Sequence, residues 1–108
     1  MITKDTFHSM VLSLPHTEQV EHFDRAGFKV IGKRMFASYL EQDNTANIFL
    51  TRQEQKLFCE VDSKNIYPVP NKWGEKGATT FVLEYVDEAV VMEALTSAYD
   101  EVRGGKHL

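Results

Sequence analysis

The sequence predicts an α+β fold: a two-layer sandwich in which a twisted antiparallel sheet of about five strands carries helices on one face. Three observations predict it. Several segments alternate apolar and polar residues and follow one another through short turns, as antiparallel strands do. Other segments repeat apolar residues at helical spacing, each with one stripe to bury. Those stripes need one sheet face to cover, which leaves the opposite face open to water. At 108 residues and 43% apolar, the chain is one domain's worth and can bury a core without staples. Residues 1–108 therefore read as a single domain, with a helix stop and a frayed tail over 104–108 in the closing "RGGKHL".

The first helix runs from about Thr3 to Leu14. Thr3 suits an N-cap, and Asp5 favours the positive helix end. Phe7, Met10, Val11 and Leu14 form its stripe, and Pro15 ends it. Strands follow. "QVEHFD" alternates weakly. "GFKVI" and "RMFASYL" flank Gly32-Lys33, a Gly-X pair suited to a two-residue type II′ turn. In that register Phe28, Val30, Met35 and Ala37 share one face, while Lys29, Ile31, Arg34 and Phe36 share the other. "DNTA" is a second turn and "NIFL" the next strand.

Thr51-x-x-Glu54 is a capping box ahead of Leu57, Phe58 and Val61, which predicts a helix of about three turns. A loop with Pro68 and Pro70 leads through "NKWGEKG" into the strand "ATTFVLEY". Asp87 then N-caps a last helix with Val91, Leu95, Ala98 and Val102 in its stripe and Ala94 and Tyr99 beside them.

Composition excludes some classes of function. There is no apolar run of roughly 18 residues, so no membrane span is expected. The N-terminal "MITKDTFHSM" lacks a secretory pattern, and the single Cys59 cannot form an intramolecular disulfide; both point to the cytoplasm. Net charge is −4 but unevenly spread. Residues 25–76 carry nine Lys or Arg against six acids, net +3, between two acidic ends. Such a split marks either one anion-attracting side or neighbouring segments that pair.

The histidines and Cys59 match no zinc spacing, and there is no GxSxG, P-loop or GxGxxG. No catalytic residues, metal or cofactor are expected, and the chain reads as a non-enzyme. Cys59, beside Phe58 on a helix, reads as a buried, inert thiol. In "EHFDR", His22 and Asp24 share a strand face next to Arg25 and read as a hydrogen-bonded pair at an edge. Gly74 and Gly77 read as turn residues. Trp73 is either a lid over one end of the core or an exposed ring that stacks on a ligand. The hairpin's outer face, with Lys29, Ile31, Arg34 and Phe36, suits contact with a nucleic-acid backbone and bases; equally, a helix could cover Ile31 and Phe36 while the charged heads reach out.

The segments "LSLPHTEQ", "EHFDRAGFKVIGKRMFAS", "WGEKGATTFVLEYVD" and "ALTSAYDEV" resemble the MmcQ/YjbR family over about residues 5 to 103. The most specific matches are Leu14-Pro15, His22-Phe23, Phe28-x-Val30 with Gly32-Lys33-x-x-Phe36-Ala37, Trp73-Gly74 with Gly77, and Ala98-Tyr99. The resemblance implies a CyaY-like, frataxin-like fold and DNA binding through a "double wing" of β-hairpins, without enzymatic activity. It puts the nucleic-acid contacts on Lys29, Lys33 and Arg34 of the hairpin and on Lys72, Trp73 and Lys76 of the later loop; Arg25 and Phe36, from the same basic and aromatic stretch, complete the candidate set. Two departures stand out: Ala78 occupies a position that many relatives fill with Trp, and the chain is acidic overall. A frataxin-like iron role does not carry over, because Asp5 is the only acid in the first fourteen residues. The alternative to a DNA-binding module is a protein-interaction or small anionic-ligand domain that uses the open sheet face and Trp73. An exposed hairpin edge leaves a monomer and a weak homodimer both open.

Overall fold

A computed structural model describes residues 1–104 of the chain; beyond Gly104, the tail expected at 104–108 lies outside the described residues. In chain order the elements are α1 (Lys4–Leu12), β1 (Thr17–His22), β2 (Arg25–Val30), β3 (Met35–Leu40), β4 (Thr45–Phe49), α2 (Arg52–Val61), β5 (Ile66–Pro68), α3 (Lys72–Glu75), β6 (Ala78–Val82) and α4 (Glu88–Val102). The strands form one antiparallel six-stranded sheet in the order β1-β2-β3-β4-β6-β5. The α+β two-layer expectation holds, with one strand more than expected. The extra strand is β5, a three-residue edge piece whose Pro68 had marked it as loop. Proline is tolerated there because the outer side of an edge strand needs no N–H donor.

Helix starts follow the predicted caps. The Thr3 hydroxyl accepts from the Thr6 N–H, and Thr51 with Glu54 forms the full reciprocal capping box. Asp87 stands at the N-cap of α4, but its side chain makes no capping hydrogen bond. The stripe of α4 buries Val91, Ala94, Leu95, Ala98, Tyr99 and Val102. Phe7 and Val11 of α1, Phe28, Phe36, Ile48 and Phe81 complete a core in which these side chains are fully buried. Tyr99 also donates its hydroxyl to the Pro15 carbonyl at 2.7 Å, which ties α4 to the loop after α1. On α2 the expected stripe is only partly used: Phe58 packs edge-on against Phe81, whereas Leu57 and Val61 remain exposed.

The β2–β3 hairpin corrects two expectations. Its turn is centred on Ile31-Gly32, not Gly32-Lys33: the Lys33 N–H donates to the Val30 carbonyl at 2.8 Å, and Gly32 has φ +82°. Positive φ at the third turn position alone is the type II arrangement, not type II′. The register then shifts between Phe28 and Lys29, which pair with Ala37 and Met35. Phe36 is the extra residue of a β-bulge. The bulge turns Phe36 inward with Ala37, where it is 0% exposed against Tyr99, and leaves Met35 on the uncovered face.

His8 of α1 is half-buried between the rings of Phe28 (5.0 Å) and Tyr39 (5.6 Å), and its Nε2 is buried without a hydrogen bond. Burial, followed by the Lys4 ammonium, pushes its pKa below the usual histidine value; Asp5, Gln19 and Glu41 oppose this. The folded state therefore binds the His8 proton less readily than the unfolded chain. The associated stability is present above the unfolded pKa of about 6.5 and is lost as pH falls through that value toward the depressed folded one. Urea midpoints compared near pH 7.5 and pH 5 should show a loss in the wild type that is smaller in His8→Phe. Equal losses in both proteins would exclude His8 as the group responsible.

Candidate functional site

Antiparallel register carries one row of side chains across the uncovered face: Val20, Gly27, Ser38, Asn47, Thr80 and Tyr67, from β1 to β5. The middle of this row is polar and internally satisfied. The Thr80 hydroxyl donates to Asn47 Oδ1 at 2.8 Å, and Arg25 Nε donates to Ser38 Oγ at 2.9 Å. Met35 Sδ and Val20 Cγ2 lie over Gly27, so a Cβ there would stand 2.4 Å and 3.2 Å from them and the Met35 side chain would have to move. The uncovered face also carries an open space between the β2–β3 hairpin and the α3 segment.

That space is a cleft of about 740 Å³. Arg25, Ser38 and Asn47 lie in its floor, with Met35, Phe49 and Ala78 as apolar flanks. Ala78, where the resemblance leads one to expect Trp, therefore borders the space. The rim carries Phe23 from the β1–β2 turn, Arg34 from the β2–β3 loop, and Trp73 and Lys76 from the α3 segment. Asn71 caps α3 by accepting from the Trp73 N–H at 2.8 Å, and Lys76 Nζ sits 5.4 Å from the Trp73 ring centroid. A cation over an exposed indole contributes about 0.5–1 kcal/mol. Trp73 is 65% exposed, so it is a surface ring and not a core lid.

Arg25 has an unusual setting. Burial pushes its guanidinium pKa down, and Asp24 and Asp43 only partly offset this. Its Nη2 is buried with no hydrogen-bond partner. A half-buried cation with one nitrogen withdrawn from water, and with no ion pair among the described residues, gains from an anion that enters the cleft. Among the described residues, Glu101 is the one carboxylate lining the cleft, alongside Arg25, Arg34, Lys76 and His22.

Of the eight residues expected to contact nucleic acid, the fold brings Arg25, Arg34, Trp73 and Lys76 together on this cleft. Lys33 and Lys72 are exposed but are not among its lining residues. Lys29 lies on the same face but pairs with Glu18 at 3.8 Å. Phe36 is the correction already described: it is core and can touch no ligand. The expected His22–Asp24 pair also does not form. The chain turns at Phe23-Asp24, so His22 lies opposite Arg25 in the ladder and packs its ring on Phe23 at 4.9 Å. Burial pushes the Cys59 thiol pKa up, which disfavours the thiolate. Among the described residues no group of three or more His, Cys, Asp and Glu side chains converges, and no helix is long and apolar enough to cross a membrane.

Sequence reasoning missed Phe23, Ser38, Asn47 and Phe49. The signal available for Phe23 was its place between "QVEH" and "RAGFKV", two strands that a two-residue turn can join.

No curated protein matches the chain significantly. Among solved structures, it is similar to the Deinococcus radiodurans protein DR2400, which carries a DUF419 domain. The TM-score is 0.81 at 24% identity, covering 96% of this chain and 80% of that one, a likeness in fold. The YjbR family model matches residues 12–101, from the end of α1 almost to the end of α4, and the chain belongs to the YjbR family.

Proposed function

We propose that the chain is a nucleic-acid-binding module, with DNA as the ligand to test first, whose contact surface is the cleft on the uncovered sheet face. Lys33 and Arg34 of the hairpin loop would reach flanking phosphates. The observation that carries this reading is the convergence of Arg25, Arg34 and Lys76 with exposed Trp73 on one cleft that holds a single carboxylate among the described residues. In a chain of net charge −4, such a local excess of cations gives an anion one preferred place to bind.

Binding can be read through Trp73, the only tryptophan. An oligonucleotide in the cleft should quench its emission. Four cationic contacts, from Arg25, Lys33, Arg34 and Lys76, imply a salt slope of about −3 for a single strand, so raising salt from about 50 to about 200 mM should weaken binding by roughly fiftyfold. Arg34→Glu combined with Lys76→Glu should abolish the quenching while leaving the melting temperature within a few degrees, since both side chains are exposed. Absence of binding by both single-stranded and duplex DNA at low salt would overturn the proposal.

A small anionic ligand bearing a ring is a second reading. The cleft volume of about 740 Å³ favours it, since it lies in the range of about 300–1,000 Å³ typical of ligand pockets. A mononucleotide that quenches Trp73 as tightly as the oligonucleotide would select this alternative.

A further inference from the structure

Phe23 is the most exposed large apolar side chain among the described residues, and its backbone holds a positive φ. Its side chain is 95% exposed. It occupies the first of the two residues between β1 and β2 with φ +59°, a region in which bulky side chains are outliers. Asn or Gly at such a turn position would remove the strain, and a polar residue would remove the exposed ring. Strain kept at an exposed site points to a role outside folding. The ring is also oriented: His22, half-buried on the face of the cleft, packs against it at an interplanar angle of 63°. On the same cleft stands the second exposed ring, Trp73.

We infer that Phe23 is a stacking residue for an unpaired base, so that the cleft takes single-stranded and not duplex nucleic acid. This rests on the nucleic-acid reading above and narrows it. A base within a duplex has both faces covered by its neighbours, whereas a splayed base offers a free face to an aromatic ring. Arg34 and Lys76 on the rim then meet phosphates on either side of that base, and Arg25 in the floor meets the nearest one. The mode is sequence-tolerant, because every base has a face that can stack.

The test uses the full chain, an oligothymidylate and a duplex of equal length, with Trp73 emission and anisotropy as readouts. The wild type should bind the single strand about tenfold or more tightly than the duplex. Phe23→Asn should weaken single-strand binding by at least about fivefold, the lower end of one base stack, yet melt at the same temperature or a few degrees higher. Phe23→Trp should retain binding. Unchanged affinity in Phe23→Asn, equal binding of the duplex, or a lower melting temperature in Phe23→Asn would each overturn the inference and leave the nucleic-acid reading standing. Failure of the wild type to bind either form would overturn both.

Discussion

Phe36→Ala is expected to lower the unfolding free energy by about 3–5 kcal/mol, a large part of the roughly 5–15 kcal/mol that holds a domain of this size together. The ring is 0% exposed and meets Tyr99 edge-on at 5.9 Å. Truncation removes the transfer free energy of the ring and leaves a void between β3 and α4, which the surrounding helix and sheet can close only in part. Tyr99 is itself held by its hydrogen bond to Pro15, so it cannot easily swing into the gap. In urea, the midpoint should fall by more than about 1 M with little change in slope. If Phe36 instead faced solvent on a wing, its truncation would cost within about 0.5 kcal/mol, and a loss that small would refute the bulged register.

That prediction rests on the feature least legible in the sequence. Strict alternation from a two-residue turn puts Phe36 outside and Met35 inside. Two local events reverse this: the turn centres one residue earlier, on Ile31-Gly32, and the bulge makes Phe36 and Ala37 together face Phe28. A period-2 pattern does not reveal an inserted residue, because the side chains on both sides of a bulge still alternate. For some other elements the local pattern suffices. Thr3, the Thr51–Glu54 box and the stripe of α4 are local signals that depend on spacing within one element, and the structure keeps them. The edge strand β5 and the one-turn α3 escaped because three or four residues around Pro68 and Gly74 are too few to show a period.

The candidate site was legible as chemistry but not as place. Basic residues on either side of the lone tryptophan could be read directly, whereas the exposure of its ring could not. Which of them share a cleft depends on strand order: β4 lies between β3 and β6, and this brings the hairpin and the α3 segment to the same face. Ser38 and Asn47 are ordinary polar residues in the sequence and become a floor only when register aligns them. The same register explains the discarded His22–Asp24 pair. It assumed one continuous strand through "QVEHFD", where the chain in fact turns back.

Gly77→Ala should be a severely damaging substitution beside the cleft. A Cβ at Gly77 would stand 1.8 Å from the Leu50 carbonyl oxygen and 2.9 Å from its carbon, and the backbone holds φ at +122°. Neither conflict can be relieved by a rotamer change, since both partners are backbone. The backbone is also tied in place. The Gly77 carbonyl accepts from the Leu50 N–H at 3.2 Å and from the Thr79 hydroxyl at 2.8 Å, while its N–H donates to the Gly74 carbonyl at 3.1 Å. Making room for the methyl breaks the link that seats the start of α2 against the start of β6. Strain of about 1–3 kcal/mol from the dihedral angle adds to the loss of these bonds, so a total of about 3 kcal/mol or more is expected. For a domain of this length that corresponds to a melting temperature lower by about 12 °C or more. Lys76 and Ala78, on either side of Gly77, both line the cleft, so any protein that does fold should also show altered Trp73 emission and weaker oligonucleotide quenching. A variant that melts within a few degrees of the wild type would mean that the Leu50–Gly77 contact is not the fixed approach described.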